Sequence, residues 1–188
     1  MEKPALSEFT VQNALIQEFL SSCLPVMPSY TPRKWGFEAD VWAVMRSGRT
    51  REVEIKLTVG DFRVDRCKHR AGLWGCGEQL KYDLLAKGDD TGPCYFGYAL
   101  TEEVYLKVKD EIPAWAGVWI VRAWGQGARV VRIQQPAKLL HDVRATPEMC
   151  ADMERMAYWR FLRGRHINPT EKPTAEGPPA LSLFAQVD

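Results

Sequence analysis

Long apolar runs are missing from this chain. No stretch approaches the roughly eighteen consecutive apolar residues that a membrane-spanning helix needs, so neither such a helix nor a membrane partner is expected. A surplus of charge is missing as well: 25 Lys and Arg stand against 24 Asp and Glu, for a formal net charge of +1. That excludes a globally basic chain that coats nucleic acid by charge alone, and any DNA-binding surface has to be a local patch. Cysteine is sparse and odd in number, at five. This excludes a fully paired disulfide framework and fits a reducing cytoplasm. The opening residues Met1-Glu2-Lys3-Pro4 have neither the basic nor the apolar region of a secretory leader, so a cytoplasmic chain is expected. A zinc site from Cys67, His69, Cys76 and Cys94 would follow no standard spacing, and free thiols with a surface histidine are the plainer reading. No base-reading motif is visible either.

What is present suffices for a core. Of the 188 residues 46% are hydrophobic, and seven are tryptophan. One domain over residues 1–167 is expected, followed by a proline-rich tail over 168–188.

The most informative stretch runs from Phe37 to Lys56. Two segments rich in Val, Ile and Trp flank the polar connection Arg46-Ser47-Gly48-Arg49, a β-hairpin signal. Side chains alternate faces along a strand, so Glu52, Glu54 and Lys56 share one face and Val53 and Ile55 take the other. Asp40, on the partner strand, can meet them. Two carboxylates suit Mg²⁺ or Mn²⁺, which prefer oxygen ligands, and the backbone carbonyl of Ile55 is a further candidate ligand. A lysine beside them can orient a water or stabilise charge in a transition state. Such a cluster fits metal-assisted phosphodiester hydrolysis. A Glu-x-Lys triplet also occurs by chance, and on an exposed strand it forms a solvated ionic face of little energetic weight.

Asp40 followed by Glu54-Ile55-Lys56 resembles the PD-(D/E)xK nuclease superfamily. Closer still are small bacterial and phage proteins of DNA-repair or nuclease-like type. The matching segments are Ala39-Asp40-Val41, Val53-Glu54-Ile55-Lys56 and Asp61-Phe62-Arg63-Val64-Asp65, within a likeness from Ser7 to His141. Ala39 stands where a proline often precedes the first Asp. The resemblance implies a restriction-endonuclease-like three-layer α/β/α sandwich around a central mixed β-sheet, with an αβββαβ core. It further implies a metal-dependent deoxyribonuclease in repair, recombination or phage DNA processing, with Asp40, Glu54 and Lys56 catalytic. The alternative is a non-catalytic DNA-binding repair module that keeps the nuclease fold. A domain binding another phosphate-bearing ligand is a third reading. The superfamily's first helix often supplies a metal-site glutamate, which makes Glu8 a candidate, although an acid in a first helical turn is favoured by the helix dipole alone.

The remaining chain reads as alternating helices and strands, which by itself points to an α/β fold. A helix is expected over Leu6–Cys23 with Ser7 as its cap. Leu24 to Trp35, with Pro25, Pro28 and Pro32, reads as a loop. Asp61 is expected to cap a helix carrying Arg63, Arg66, Lys68, His69 and Arg70, which can track a DNA backbone or form a solvated face. A second helix from Gln79 to Lys87 presents Lys81 to the substrate. A strand over Cys94–Leu100 precedes a helix from Thr101 to Ile112. Two more strands are expected over Ala116–Trp124 and Ala128–Ile133, and a terminal helix over Thr146–Gly164. In the tail, Ala180-Leu181-Ser182-Leu183-Phe184 resembles the Gln-Leu-Ser-Leu-Phe peptide that docks bacterial proteins on the sliding clamp. Leu181, Leu183 and Phe184 are the expected docking residues, on a tether that raises local concentration; the alternative is a tail that folds back and caps a groove on its own domain.

Overall fold

The computed structural model of the chain describes residues 6–65 and 80–166. The chain divides into two compact units, Met1–Glu154 and Arg155–Asp188. The first contains a six-stranded mixed sheet with helices, an α/β architecture. Arg66, Lys68, His69, Arg70, Leu181, Leu183 and Phe184, together with Cys67 and Cys76, lie outside the described residues.

Helix α1 (Glu8–Phe19) begins where its capping chemistry dictates. The Ser7 hydroxyl accepts from the Thr10 amide, and the Thr10 hydroxyl accepts from the Ser7 amide, so two otherwise orphaned donors are satisfied. Val11, Leu15 and Phe19, one helical turn apart, are fully buried.

The strands are β1 (Cys23–Tyr30), β2 (Ala39–Met45), β3 (Thr50–Lys56), β4 (Tyr95–Thr101), β5 (Gly117–Trp124) and β6 (Gly127–Gln135), in that spatial order. The first three form an antiparallel meander, β3, β4 and β5 run parallel, and β6 returns antiparallel. The stretch expected as a loop from Leu24 is thus mostly strand. Its prolines fit because β1 is an edge strand, where a missing N–H need not break a ladder, and its register slips between Cys23 and Val26, around Pro25. Between β2 and β3 the turn closes on Gly48, whose φ of +82° suits glycine.

Helix α2 (Val59–Asp65) is capped by Thr58, whose hydroxyl accepts from the Asp61 amide at 3.1 Å. Asp61 therefore sits inside the first turn rather than at the cap. Helix α3 (Lys81–Lys87) ends on Gly88 in the left-handed conformation. Helix α4 (Glu102–Val108) is capped by Thr101 and tightens into a 3₁₀ turn over Lys109–Glu111. Helix α5 (Pro147–His166) closes the described chain.

The two faces of the sheet differ in chemistry. Val41, Ala43, Val53, Ile55, Ala99, Trp119 and Val121 pack with Val11, Leu15 and Phe19 of α1 into one apolar core. On the opposite face, Phe62 of α2 meets Tyr98 at 5.0 Å between ring centroids, and Phe96 meets Tyr98 edge-on. Charged residues of β3 are buried on that second face.

Candidate functional site

Alternation along β3 turns Glu52, Glu54 and Lys56 toward the same side, and all three are buried. Antiparallel pairing of β2 with β3 brings Asp40 alongside: its Oδ2 accepts from the Ile55 amide at 2.6 Å. The Lys56 ammonium lies 2.6 Å from Glu54 Oε2, 3.0 Å from Asp65 Oδ1 at the end of α2, and 3.8 Å from Asp40 Oδ2. The expected meeting of Asp40, Glu54 and Lys56 is present, and Asp65 joins it.

A second lysine completes the cluster. Lys81, expected to face substrate, is instead only 2% exposed. Its ammonium pairs with both Glu52 Oε1 and Glu54 Oε1, over the rings of Phe37 and Phe96. It cannot reach a phosphate while buried there. The reason is local: Lys81, at the start of α3, reaches β3, where two buried carboxylates need a cation. Trp35 donates its indole N–H to Glu52 Oε2 at 2.9 Å. The result is a chain of alternating charge, Glu52–Lys81–Glu54–Lys56–Asp65, with Asp40 at its more open end, where 18% of the side chain is exposed.

Four carboxylates, on Asp40, Glu52, Glu54 and Asp65, face two ammonium groups, on Lys56 and Lys81, a surplus of two negative charges when all are ionised. Burial and the neighbouring Glu54 push the Asp40 carboxyl up to about 6, although Lys56 and the Ile55 amide pull the other way. Burial raises Glu52 as well, against the pull of Lys81. Burial alone would lower Lys56, but Glu54, Asp65 and Asp40 outweigh it and hold the ammonium protonated. The same contest, between burial and Glu52 with Glu54, leaves Lys81 raised.

Glu8 stands at the edge of this site. Gln12 donates from Nε2 to Glu8 Oε1 at 3.0 Å and to the Asp40 backbone carbonyl at 3.2 Å, tying α1 to the start of β2. Arg63 is exposed on α2 and is held by Glu111 at 2.8 Å, so any phosphate contact there competes with an existing partner.

Sequence reasoning did not identify Gln12, Trp35 or the ligating position of Lys81. Asp65 was visible only as the last residue of the Asp-Phe-x-x-Asp segment. Glu52 was visible through its alternation with Glu54, with no sign that it is buried more deeply than the others.

Among the described residues, no group of three or more His, Cys, Asp or Glu could hold a metal ion. Mg²⁺ is held by as few as one or two carboxylates and retains several waters. Asp40 and Glu54, in an anionic cluster with an open end, fit that sparser donor set.

No protein-family model matches the chain, and no curated protein matches it. Among solved structures it is similar to a protein of unknown function from Silicibacter pomeroyi, at 15% identity, over 92% of this chain and 97% of the other, with a TM-score of 0.50. At that identity the likeness speaks to the fold alone.

Proposed function

We propose that the chain is a metal-dependent deoxyribonuclease of the PD-(D/E)xK type, using Mg²⁺ or Mn²⁺ and acting on DNA in repair, recombination or phage DNA processing within a bacterial cytoplasm. The observation that carries the reading is the convergence of Asp40, Glu54 and Lys56 at one end of β3, within a cluster of four carboxylates and two ammonium groups. The order α1, then β1 to β3, then α2 and α3, then β4 supports a restriction-endonuclease-like αβββαβ core in a three-layer arrangement.

Asp40 and Glu54 would hold the ion, with the Ile55 carbonyl as a further oxygen donor. A divalent ion held there supplies charge neutralisation at the scissile phosphate and acidifies water. The protein's own groups do the rest. Lys56 is held protonated, which suits it to stabilise negative charge on the phosphate oxygens rather than to take a proton. Asp65 gives Lys56 a second anchor, so the ammonium keeps its place if Glu54 turns toward a cation. Glu52, Trp35 and Lys81 fix Glu54 from beneath.

One observation favours a DNA-binding module without cleavage. Both oxygens of Glu54 already rest on ammonium groups, an arrangement that is satisfied without an ion.

A cleavage assay separates the two. End-labelled duplex, nicked, branched and single-stranded DNA are incubated with the full chain and Mg²⁺ or Mn²⁺. The nuclease reading expects ion-dependent products, lost in Asp40→Asn, Glu54→Gln and Lys56→Ala. Equal cutting by all three variants removes the site assignment. Absence of cutting on every substrate, with DNA binding retained, supports the non-catalytic module.

A further inference from the structure

The second unit carries a surface that the cleavage site does not use. From Arg155 to His166 the chain reads Arg-Met-Ala-Tyr-Trp-Arg-Phe-Leu-Arg-Gly-Arg-His, with four arginines and no acid. All of it is helical, as the later part of α5. Tyr158, Trp159 and Phe161 are 59%, 55% and 58% exposed, an unusual cost for three aromatic rings on one short segment. Arg155, Arg160 and Arg163 are exposed as well.

Helical spacing arranges these residues in a definite way. At 3.6 residues per turn, Arg155, Trp159 and Arg163 fall on one face, four apart. Tyr158 and Phe161, three apart, form the adjoining stripe. The rings of Tyr158 and Trp159 stand 6.3 Å apart, which joins the two stripes. Aromatic and guanidinium groups therefore interleave around the helix.

That interleaving selects among ligands. A helix lying on a lipid surface separates a basic face from an apolar one, and this segment does not. A polyanion with flat, apolar faces between its charges matches it: phosphates pair with arginines while bases stack on the rings. Duplex DNA hides those faces inside its stack, whereas a single strand presents them.

We propose that the Arg155–Arg163 segment of α5 is a binding surface for single-stranded nucleic acid. Phosphates contact Arg155 and Arg163, and bases stack on Tyr158, Trp159 and Phe161. The inference does not depend on the cleavage reading, because it is tested without a divalent ion.

The test is fluorescence polarisation of a labelled oligothymidylate with the full-length chain in EDTA, over a series of salt concentrations. A matched duplex and anionic phospholipid vesicles run in parallel. Trp159→Ala combined with Tyr158→Ala should weaken binding to the single strand by about tenfold or more, since each stacked base contributes on the order of 1–3 kcal/mol. Arg155→Gln with Arg163→Gln should reduce the salt slope by roughly 0.7 for each phosphate that is no longer neutralised. Both pairs are exposed, and unchanged thermal melting confirms intact folding. The proposal is overturned if the parent does not bind the single strand, if both double variants bind as the parent does, or if they lose duplex or vesicle binding alone.

Discussion

At the scale of single residues, burial combined with like charge governs the site. The Asp40 carboxyl, raised from its ordinary 3.8 to about 6, binds a proton more tightly folded than unfolded. Its contribution to stability is therefore full below about pH 4 and is lost as pH rises through about 6. In the ion-free chain, Asp40→Asn should flatten the fall in melting temperature over that window. It should also stabilise the protein at pH 7 by about 2 kcal/mol, because the amide oxygen still accepts from Ile55. A variant that melts lower than the parent across the whole range would show that the carboxylate is stabilising despite its burial. Lys81 behaves oppositely. Lys81→Met leaves the buried Glu52 without its cation and Glu54 with Lys56 alone, and denaturant unfolding at neutral pH should report a loss of about 3–5 kcal/mol. Adding Glu52→Gln should recover part of it; no recovery means that Lys81 acts by packing alone.

At the scale of elements, the sequence predicts helices and strands where a period is clear. It misleads where a residue's tertiary position decides. The β2–β3 hairpin was legible because its alternation and its glycine turn are local. Strand β1 was not, because Pro25 and Pro28 signal a loop unless the segment is known to lie at a sheet edge. Thr58 rather than Asp61 caps α2, a choice between neighbouring capping residues that spacing alone does not make. Asp40, Glu54 and Lys56 were legible as one cluster through strand pairing. Lys81 was not, since no periodicity shows that α3 aims a lysine into the sheet. The parallel pair β4–β5 depends on a close approach of similar kind. A methyl group at Gly97 would meet the Trp119 ring and lie 2.6 Å from the Gly117 carbonyl. Gly97→Ala should destabilise by about 1–3 kcal/mol, seen as a lower denaturation midpoint with an unchanged slope. A neutral result would mean that the β4–β5 approach yields easily.

At the scale of the whole molecule, the chain carries an anionic cluster at the end of β3 and an arginine and aromatic surface on α5. Outside the described residues, the sequence around Leu181, Leu183 and Phe184 carries a prediction of its own. A peptide covering Pro178 to Asp188 should bind a bacterial sliding clamp, and Leu183→Ala with Phe184→Ala should abolish that binding. No detectable binding at high micromolar peptide would rule out the clamp as a partner of this segment. Ion binding by the β3 cluster is tested by a Mn²⁺ titration followed by electron paramagnetic resonance. One saturable site is expected on the parent, lost in Asp40→Asn and Glu54→Gln and retained in Lys56→Ala. A parent that binds no Mn²⁺, or carboxylate variants that bind it as the parent does, would contradict ion binding at this cluster.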